Sequence, residues 1–312
     1  LVGRWQQTRK MTERILIEDA LKHIHKYEIR GDRPTLDSIA GALHITLDGA
    51  VDLVAKMHQR RILNVEENGF RLTPKGRDSA LHIIRAHRLW ERYLADETGI
   101  KEIEWHDWAE RYEHDLSPAQ VEALSGRLGN PALDPHGDPI PTAEGQMVSY
   151  QDLPLTEAPI NGPACIVHIE DEPKVVYAQL VAEGLHTGMV ILVTEISSKR
   201  IRFWADGEDH ILAPVVAANI SVIVLPKESE GEASSSERLA DLRPGEKATV
   251  LKISRACRRH ERRRFMDLGI LPGTVIRAEL TSPTGDPRAY RIRGAVIGLR
   301  CQQANSIYVM RS

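Results

Sequence analysis

Apolar side chains at Ile15, Leu16, Ala20, Leu21 and Ile24 recur at helical intervals behind Thr12, which predicts a helix over 12–27 with the threonine as its cap. Residues 35–43 and 46–59 repeat the pattern across a tight turn. That is helix-turn-helix spacing. Residues 62–72 read as two short strands around Asn68-Gly69, the pair that best supplies the positive φ of a hairpin. Three helices followed by a hairpin predict a winged helix. Thr73-Pro74 then opens a long helix to about residue 96, a second helix covers 106–115, a third follows Ser117-Pro118, and proline-dense 134–141 is an extended exit.

Past Gly162 the pattern turns to β. Short Val/Ile-rich runs at 175–177, 189–193, 201–204 and 221–225 alternate with Gly and Asp turns, as in a small barrel. Residues 227–236 read as a flexible linker, and a second small β unit runs over 239–310. LVAEGLHTGMVILV at 180–193 parallels FMDLGILPGTVIRA at 265–278, each a short helix, a Gly, a Gly turn and a strand, so an internal repeat of one barrel type is expected.

Composition fits a folded, multi-domain chain: 312 residues, 42% apolar, 27% charged, net −3. The average conceals a polarity, because residues 1–80 carry net +3, residues 81–237 net −16 and residues 238–312 net +10. Cys165, Cys257 and Cys301 stand far apart, which argues against a disulfide framework or a thiolate zinc site and for a reducing cytoplasm. The longest apolar run, 211–225, is interrupted by Pro214 and Asn219 and is too short for a membrane helix. No signal peptide is visible. The chain opens at Leu1 rather than at a methionine, as a piece of a longer protein would.

The segment richest in chemistry is 82–114. His87 and Glu91 are four apart on one predicted helix, and His106, Glu110, Glu113 and His114 fall at i, i+4, i+7 and i+8 on another. Packed face to face, three imidazoles and three carboxylates can surround one or two divalent ions, and such a thiolate-free set suits Mn(II) or Fe(II) and also accepts Zn(II). A solvated helix face has the same spacing. Trp105, Trp108 and Tyr112 read as core, and His82 and Glu102 as surface. No phosphate loop, nucleophile elbow or paired catalytic acids are present, so neither catalysis nor a small-molecule substrate is expected.

AHRLWERYL, WHDWAERYEHDLS and LGNPALDPHGDPIP, in that order behind the predicted winged helix, resemble the DtxR/MntR family of metal-dependent repressors over about residues 12–226. Residues 238–312 resemble the FeoA module of ferrous-iron transport. The resemblance implies a multi-domain α plus β architecture: a winged helix-turn-helix over 1–77, a helical dimerisation and metal-binding domain over 78–148, an SH3-like barrel over 160–226, a linker over 227–237 and a second SH3-like, FeoA-like barrel over 238–312. It further implies a primary metal site of Asp19, Glu110, Glu113 and His114, and an ancillary one of His87, Glu91, His106 and Glu172. Asp19 and Glu110 put oxygen where iron-type members have sulfur, a choice that favours Mn(II). Two positions depart from the family. Val175 stands where the barrel's second ancillary ligand, a glutamine, is expected, and Lys22 replaces a carboxylate that manganese-type members use for a second ion.

The resemblance places the recognition helix at 46–61, offering Thr46, Asp48, Gly49 and Asp52 to a groove, with Lys56, Arg60, Arg61 and Arg71 for the phosphate backbone. Two carboxylates there oppose phosphate and forgo the Arg and Gln contacts that dominate base reading. A structural winged helix is the competing reading. Arg255, Arg258, Arg259, Arg262, Arg263 and Arg264 form a basic cluster that fits nucleic acid, an acidic surface such as the chain's own middle region, or solvent.

Two functions therefore stand side by side. One is a cytoplasmic, homodimeric transcription regulator that binds a double-stranded DNA operator when loaded with Mn(II) or Fe(II). The other is a metal-sensing domain fused to, or docking on, a metal transporter. The acidic recognition helix, the FeoA-like tail and LVGRWQQTRK, which resembles the basic stretch after the last membrane helix of metal-uptake permeases, support the second.

Overall fold

The computed structural model describes residues 2–147, 151–205, 208–225, 237–254, 257, 259–282 and 285–311, with side chains described from residue 13 onward except at 259 and 260. The chain opens with α1 (Val2–Ile29), whose buried residues Ile17, Ala20, Leu21 and Ile24 keep the predicted spacing. The helix begins ten residues before the expected cap, so Thr12 lies inside it. Residues 2–11 contain no proline and are rich in Gln, Arg and Lys, which cost a helix little.

The pair α2 (Leu36–Ala42) and α3 (Leu47–Gln59) start where expected, because Thr35 and Thr46 each accept a backbone N–H of the first turn. Strands β1 (Leu63–Glu66) and β2 (Gly69–Leu72) pair with Glu66 opposite Gly69, so the turn is Glu67-Asn68 and not Asn68-Gly69. Gly69 is required one position later: it takes φ +128°, and a Cβ there would stand 2.6 Å from the Pro34 carbonyl oxygen. Ile39, Leu53, Met57, Leu63 and Leu72 close the core over α1. After this hairpin come α4 (Pro74–Glu97), α5 (Trp105–Tyr112), a 3-10 turn over Glu113–Asp115, and α6 (Pro118–Arg127).

Two antiparallel sheets follow. The first is built from β3 (Leu153–Pro154), β4 (Pro163–Ile169), β5 (Val190–Ile196), β6 (Ile201–Ala205), β7 (Glu208–Leu212) and β8 (Ile220–Val224), with α7 (Lys174–Ala182) between β4 and β5 and α8 (Pro214–Ala217) before β8. The second is built from β9 (Glu237–Arg238), β10 (Lys247–Ile253), β11 (Val275–Thr281), β12 (Arg288–Ile292), β13 (Ala295–Leu299) and β14 (Ile307–Arg311), with α9 (Arg259–Asp267) and α10 (Cys301–Ala304) at the matching places. The strand orders β3-β8-β4-β5-β6-β7 and β9-β14-β10-β11-β12-β13 are the same topology. Even the register shifts coincide: those at 166/168 and 193/195 in the first sheet recur at 250/252 and 278/280 in the second. The internal repeat read from two short segments thus extends through both units.

One expected strand is wrong. Residues 175–177 lie in α7, where Tyr177 and Leu180 are buried three apart; packing overrides the β preference of Val-Val-Tyr. The run 211–225 is divided among β7, α8 and β8, and among the described residues no single helix is long and apolar enough to cross a membrane. The expected linker lies almost wholly outside the described residues, as do Arg255 and Arg258 of the basic cluster. Of the rest of that cluster, Arg262 is buried and donates to the Ser254 carbonyl at 2.7 Å, which stabilises its own module, and Arg264 is exposed. Cys165, Cys257 and Cys301 are free thiols.

Contacts divide the chain into Leu1–Trp90, Asp107–Leu124 and Pro141–Met147 as one unit and Glu91–His106, Ser125–Ile140 and Val148–Ser312 as the other. Within the second unit, Leu133, Cys165, Val167, Ile223, Met266 and Leu271 form one apolar cluster that draws on both sheets' segments. Arg92 is buried there and bridges Asp96 and Asp267, the latter at 2.8 Å.

Candidate metal centre

In the first unit, burial of Ile17, Ala20, Leu21 and Ile24 fixes the rotation of α1 and turns Glu18, Asp19 and Lys22 to a neighbouring face. At the end of α5 the backbone tightens into its 3-10 turn, which buries the consecutive side chains of Glu113 and His114. One ligand atom each from Asp19, Glu113 and His114 lies within 4.8 Å of the others. His114 Nε2 is 3.2 Å from Asp19 Oδ1 and 3.4 Å from Glu113 Oε1, while its Nδ1 is 2.6 Å from Glu18 Oε2. Arg14 donates to the His114 carbonyl, a further tie between α1 and the turn.

Glu113 is 1% exposed and its carboxylate is fully engaged. Lys22 Nζ sits 2.7 Å from Oε1 and 2.9 Å from Oε2, and His87 Nδ1 is 2.5 Å from Oε2. Burial pulls the Glu113 pKa upward, but the His87 hydrogen bond and the Lys22 charge bring it below the ordinary value. Burial likewise opposes charge on His114, yet its bonds to Asp19 and Glu18 and the Glu113 charge raise the imidazole to about 9. Glu110, the other expected primary ligand, is exposed on α5 and stands outside this group.

The donor set suits a hard divalent cation: two carboxylates and an imidazole with no thiolate, in which an ion would displace the proton that His114 otherwise holds and would compete with the Lys22 ammonium for Glu113. Asp19, Glu113 and His114 are the residues that would hold such an ion.

A second cluster lies in the second unit. His106 Nδ1 is 2.7 Å from Asp171 Oδ2 and 3.5 Å from Glu91 Oε1. His136 Nε2 is 3.7 Å from that same Glu91 oxygen and 4.0 Å from Asp171 Oδ2, and although the residue is only 2% exposed this nitrogen makes no hydrogen bond. Two features fix the loop that carries His136. Asp134 Oδ1 accepts the backbone N–H of His136 and of Asp138, both at 2.9 Å, and Gly137 at φ +97° lies so close to β4 that a Cβ would stand 1.9 Å from the Val167 carbonyl oxygen. Burial raises the Asp171 pKa, but His106 and His136 outweigh it and hold the carboxyl below its usual range.

This cluster differs from the expected ancillary set. Glu91 and His106 of the expected set are in it; His87 stands one turn before Glu91 on α4, where its ring also bonds Glu113; Asp171 brings its carboxylate in while Glu172, one residue on, is exposed. The β4-to-α7 connection sets that register, and the run Glu170-Asp171-Glu172 leaves it ambiguous by one in sequence. Val175 is 78% exposed on α7. His136 lies inside a proline-rich stretch without helical or strand periodicity, and its flanking Asp134 and Asp138 are the signal that the sequence carries for it. Glu102, expected at the surface, accepts the Tyr177 hydroxyl at 2.8 Å. Trp105 is buried as expected, whereas Tyr112, stacked on Trp108, is 40% exposed.

The side chains expected to meet DNA are distributed over α3 and the hairpin. Thr46 caps α3 by accepting the Gly49 N–H at 3.2 Å. Asp48 and Asp52 are exposed, alternating with exposed Leu47 and Val51. Lys56 and Arg60 both pair with Glu13 of α1, at 2.9 and 2.5 Å, while Arg61 and Arg71 are exposed.

Comparison with known proteins accords with this architecture. Residues 73–142 match the family model described as iron dependent repressor, metal binding and dimerisation domain, and residues 237–311 match the FeoA domain. The iron-dependent repressor IdeR of Mycobacterium leprae is 31% identical over 166 residues, 49% of this chain and 72% of that protein. A probable metal transport system membrane protein of Chlamydia trachomatis is 37% identical over 83 residues, 27% of this chain and 18% of that protein. A solved manganese-dependent transcriptional repressor in complex with manganese superposes with a TM-score of 0.61 at 26% identity, covering 67% of this chain and 100% of its own. With the mycobacterial repressor matched over most of its length and the fold shared with a manganese-dependent one, this chain belongs to the family of iron- and manganese-dependent transcriptional repressors that control metal homeostasis.

Proposed function

We propose that one Mn(II) or Fe(II) ion, held by Asp19, Glu113 and His114, switches a cytoplasmic homodimer to a DNA-binding state. The observation that carries this reading is the convergence of Asp19 on α1 with Glu113 and His114 in the turn after α5. A cation there ties the helix that underlies α2 and α3 to the helical region, so metal free energy is coupled to the placement of α3. In this reading, residues 1–77 act as a winged helix with α3 in the major groove, 78–148 as the dimerising metal domain through a face that includes exposed Tyr112, and the two sheet units over 160–226 and 238–312 as SH3-like barrels joined by 227–237. Glu91, His106, His136 and Asp171 form the ancillary site. The protein binds and does not catalyse.

Titration calorimetry with Mn(II) tests the ligand set. Glu113→Gln and Asp19→Asn are expected to weaken the primary site by about tenfold or more each, since each removes a charged ligand. Unchanged affinity in both variants would refute the assignment.

A second reading, a metal-sensing domain associated with a transporter, is favoured by α3 itself. Its outer face is acidic and apolar, and Lys56 and Arg60 are paired with Glu13. The resemblance to a chlamydial metal-transport membrane protein points the same way.

A further inference from the structure

We propose that Lys22 is a tethered cation that fills the second-ion position of the primary centre, so that this centre takes one divalent ion and no more. The inference rests on the proposed ligand set and concerns how many ions it holds. The two oxygens of Glu113 face different company. Oε1 is 3.4 Å from His114 Nε2, which in turn is 3.2 Å from Asp19 Oδ1, so an ion in that triad needs Oε1 alone. Oε2 points to His87 Nδ1 at 2.5 Å, and the Lys22 ammonium spans both oxygens at 2.7 and 2.9 Å.

A carboxylate oxygen with an imidazole beside it is half of a second cation site, and Lys22 already supplies its cation. The ammonium has donors only, so it satisfies Glu113 and cannot itself ligate a metal. A second divalent ion chelated by Glu113 or bridged through Oε2 to His87 must take the place of Nζ. An ion in the triad meets the same ammonium at Oε1, but it draws on Asp19 and His114 as well and needs Nζ only to withdraw onto Oε2. Lys22 thereby leaves the triad usable, holds α1 to the turn after α5 when no metal is bound, and repels any further cation.

The test is Mn(II) titration of the full chain followed by calorimetry and electron paramagnetic resonance, comparing wild type with Lys22→Gln and Lys22→Glu. Wild type should bind Mn(II) in a form that Glu113→Gln removes, giving an uncoupled six-line signal. Lys22→Gln takes away the charge without adding a ligand, and should bind the single ion about tenfold or more tightly. Lys22→Glu adds a carboxylate next to Glu113 Oε2 and His87. It should bind one more ion per chain than wild type and show the exchange-coupled signal of a close manganese pair. The second cluster is identical in all three proteins and cancels in the difference. A coupled pair in wild type, or a Lys22→Glu protein with the wild-type count and no coupling, overturns the inference while leaving the ligand set standing. If Glu113→Gln removes no Mn(II) from wild type, the ligand set itself falls and the inference falls with it.

Discussion

At the scale of single residues the primary centre is a set of opposed charges that pair with one another without a metal. Glu18, Asp19 and Glu113 face Lys22 and His114, and this excess of carboxylate raises the imidazole pKa to about 9. The consequence for stability has a definite sign. A histidine with an unfolded value near 6.5 and a folded value near 9 contributes stability that is complete below pH 6.5 and lost as pH rises to about 9. His168 acts in the same direction: burial opposes its charge, but the Asp138 hydrogen bond and the surrounding carboxylates raise it to about 9 as well. Thermal melts in chelator should therefore show the melting temperature falling between pH 6.5 and 9, and His114→Gln should flatten part of that fall. A melting temperature that climbs through the window, or an unchanged slope in the variant, would contradict the charge arrangement. Asp19, Glu113, His114 and Lys22 could all be identified in advance because helical spacing and family resemblance act on short, regular segments. His136 and Asp171 could not. Their approach depends on the close contact of Gly137 with β4 and on the register after that strand, neither of which leaves a periodic trace.

At the scale of elements, α3 shows local rules and functional expectation diverging. Its N-cap and core face follow directly from Thr46 and from Ala50, Leu53, Val54 and Met57. Its outer face, with Asp48 and Asp52 exposed and Lys56 and Arg60 turned back to Glu13, is a poor complement to phosphate. Replacing Asp48→Asn and Asp52→Gln together removes two repulsive charges and adds donors, so DNA affinity should rise by about tenfold at low salt and by less at high salt. Anisotropy titrations at two salt concentrations measure this. A loss of affinity in the double variant would mean that the carboxylates read bases. The start of α1 and the helix at α7 differ from the sequence pattern for opposite reasons. Thr12, a cap-type residue inside the helix, conceals the first, and three residues of high β preference mask the second, whose burial pattern emerges only once the sheet it packs on exists.

Over the whole molecule, the repeated sheet topology explains how one chain carries two similar modules after its helical part. Sequence exposed this repeat only in the helix-Gly-turn-strand segment, where glycines fix the turns; elsewhere each module satisfies its core with different apolar residues. The buried bridge from Arg92 to Asp267 in the second unit runs against the bipolar charge, −16 across 81–237 and +10 across 238–312, because the basic module contributes its acidic partner. Such a bridge shows that net charge does not predict which side chains pair.

The central claim is that metal at Asp19, Glu113 and His114 governs DNA binding. The direct measurement is fluorescence anisotropy on a duplex from upstream of the protein's own gene, with wild type and Asp19→Asn, each with and without Mn(II). The account predicts that Mn(II) strengthens wild-type binding by about tenfold or more, within the range of ordinary allosteric coupling, and leaves Asp19→Asn unchanged. Equal wild-type affinity with and without Mn(II), or an Asp19→Asn protein that responds as strongly as wild type, would contradict it.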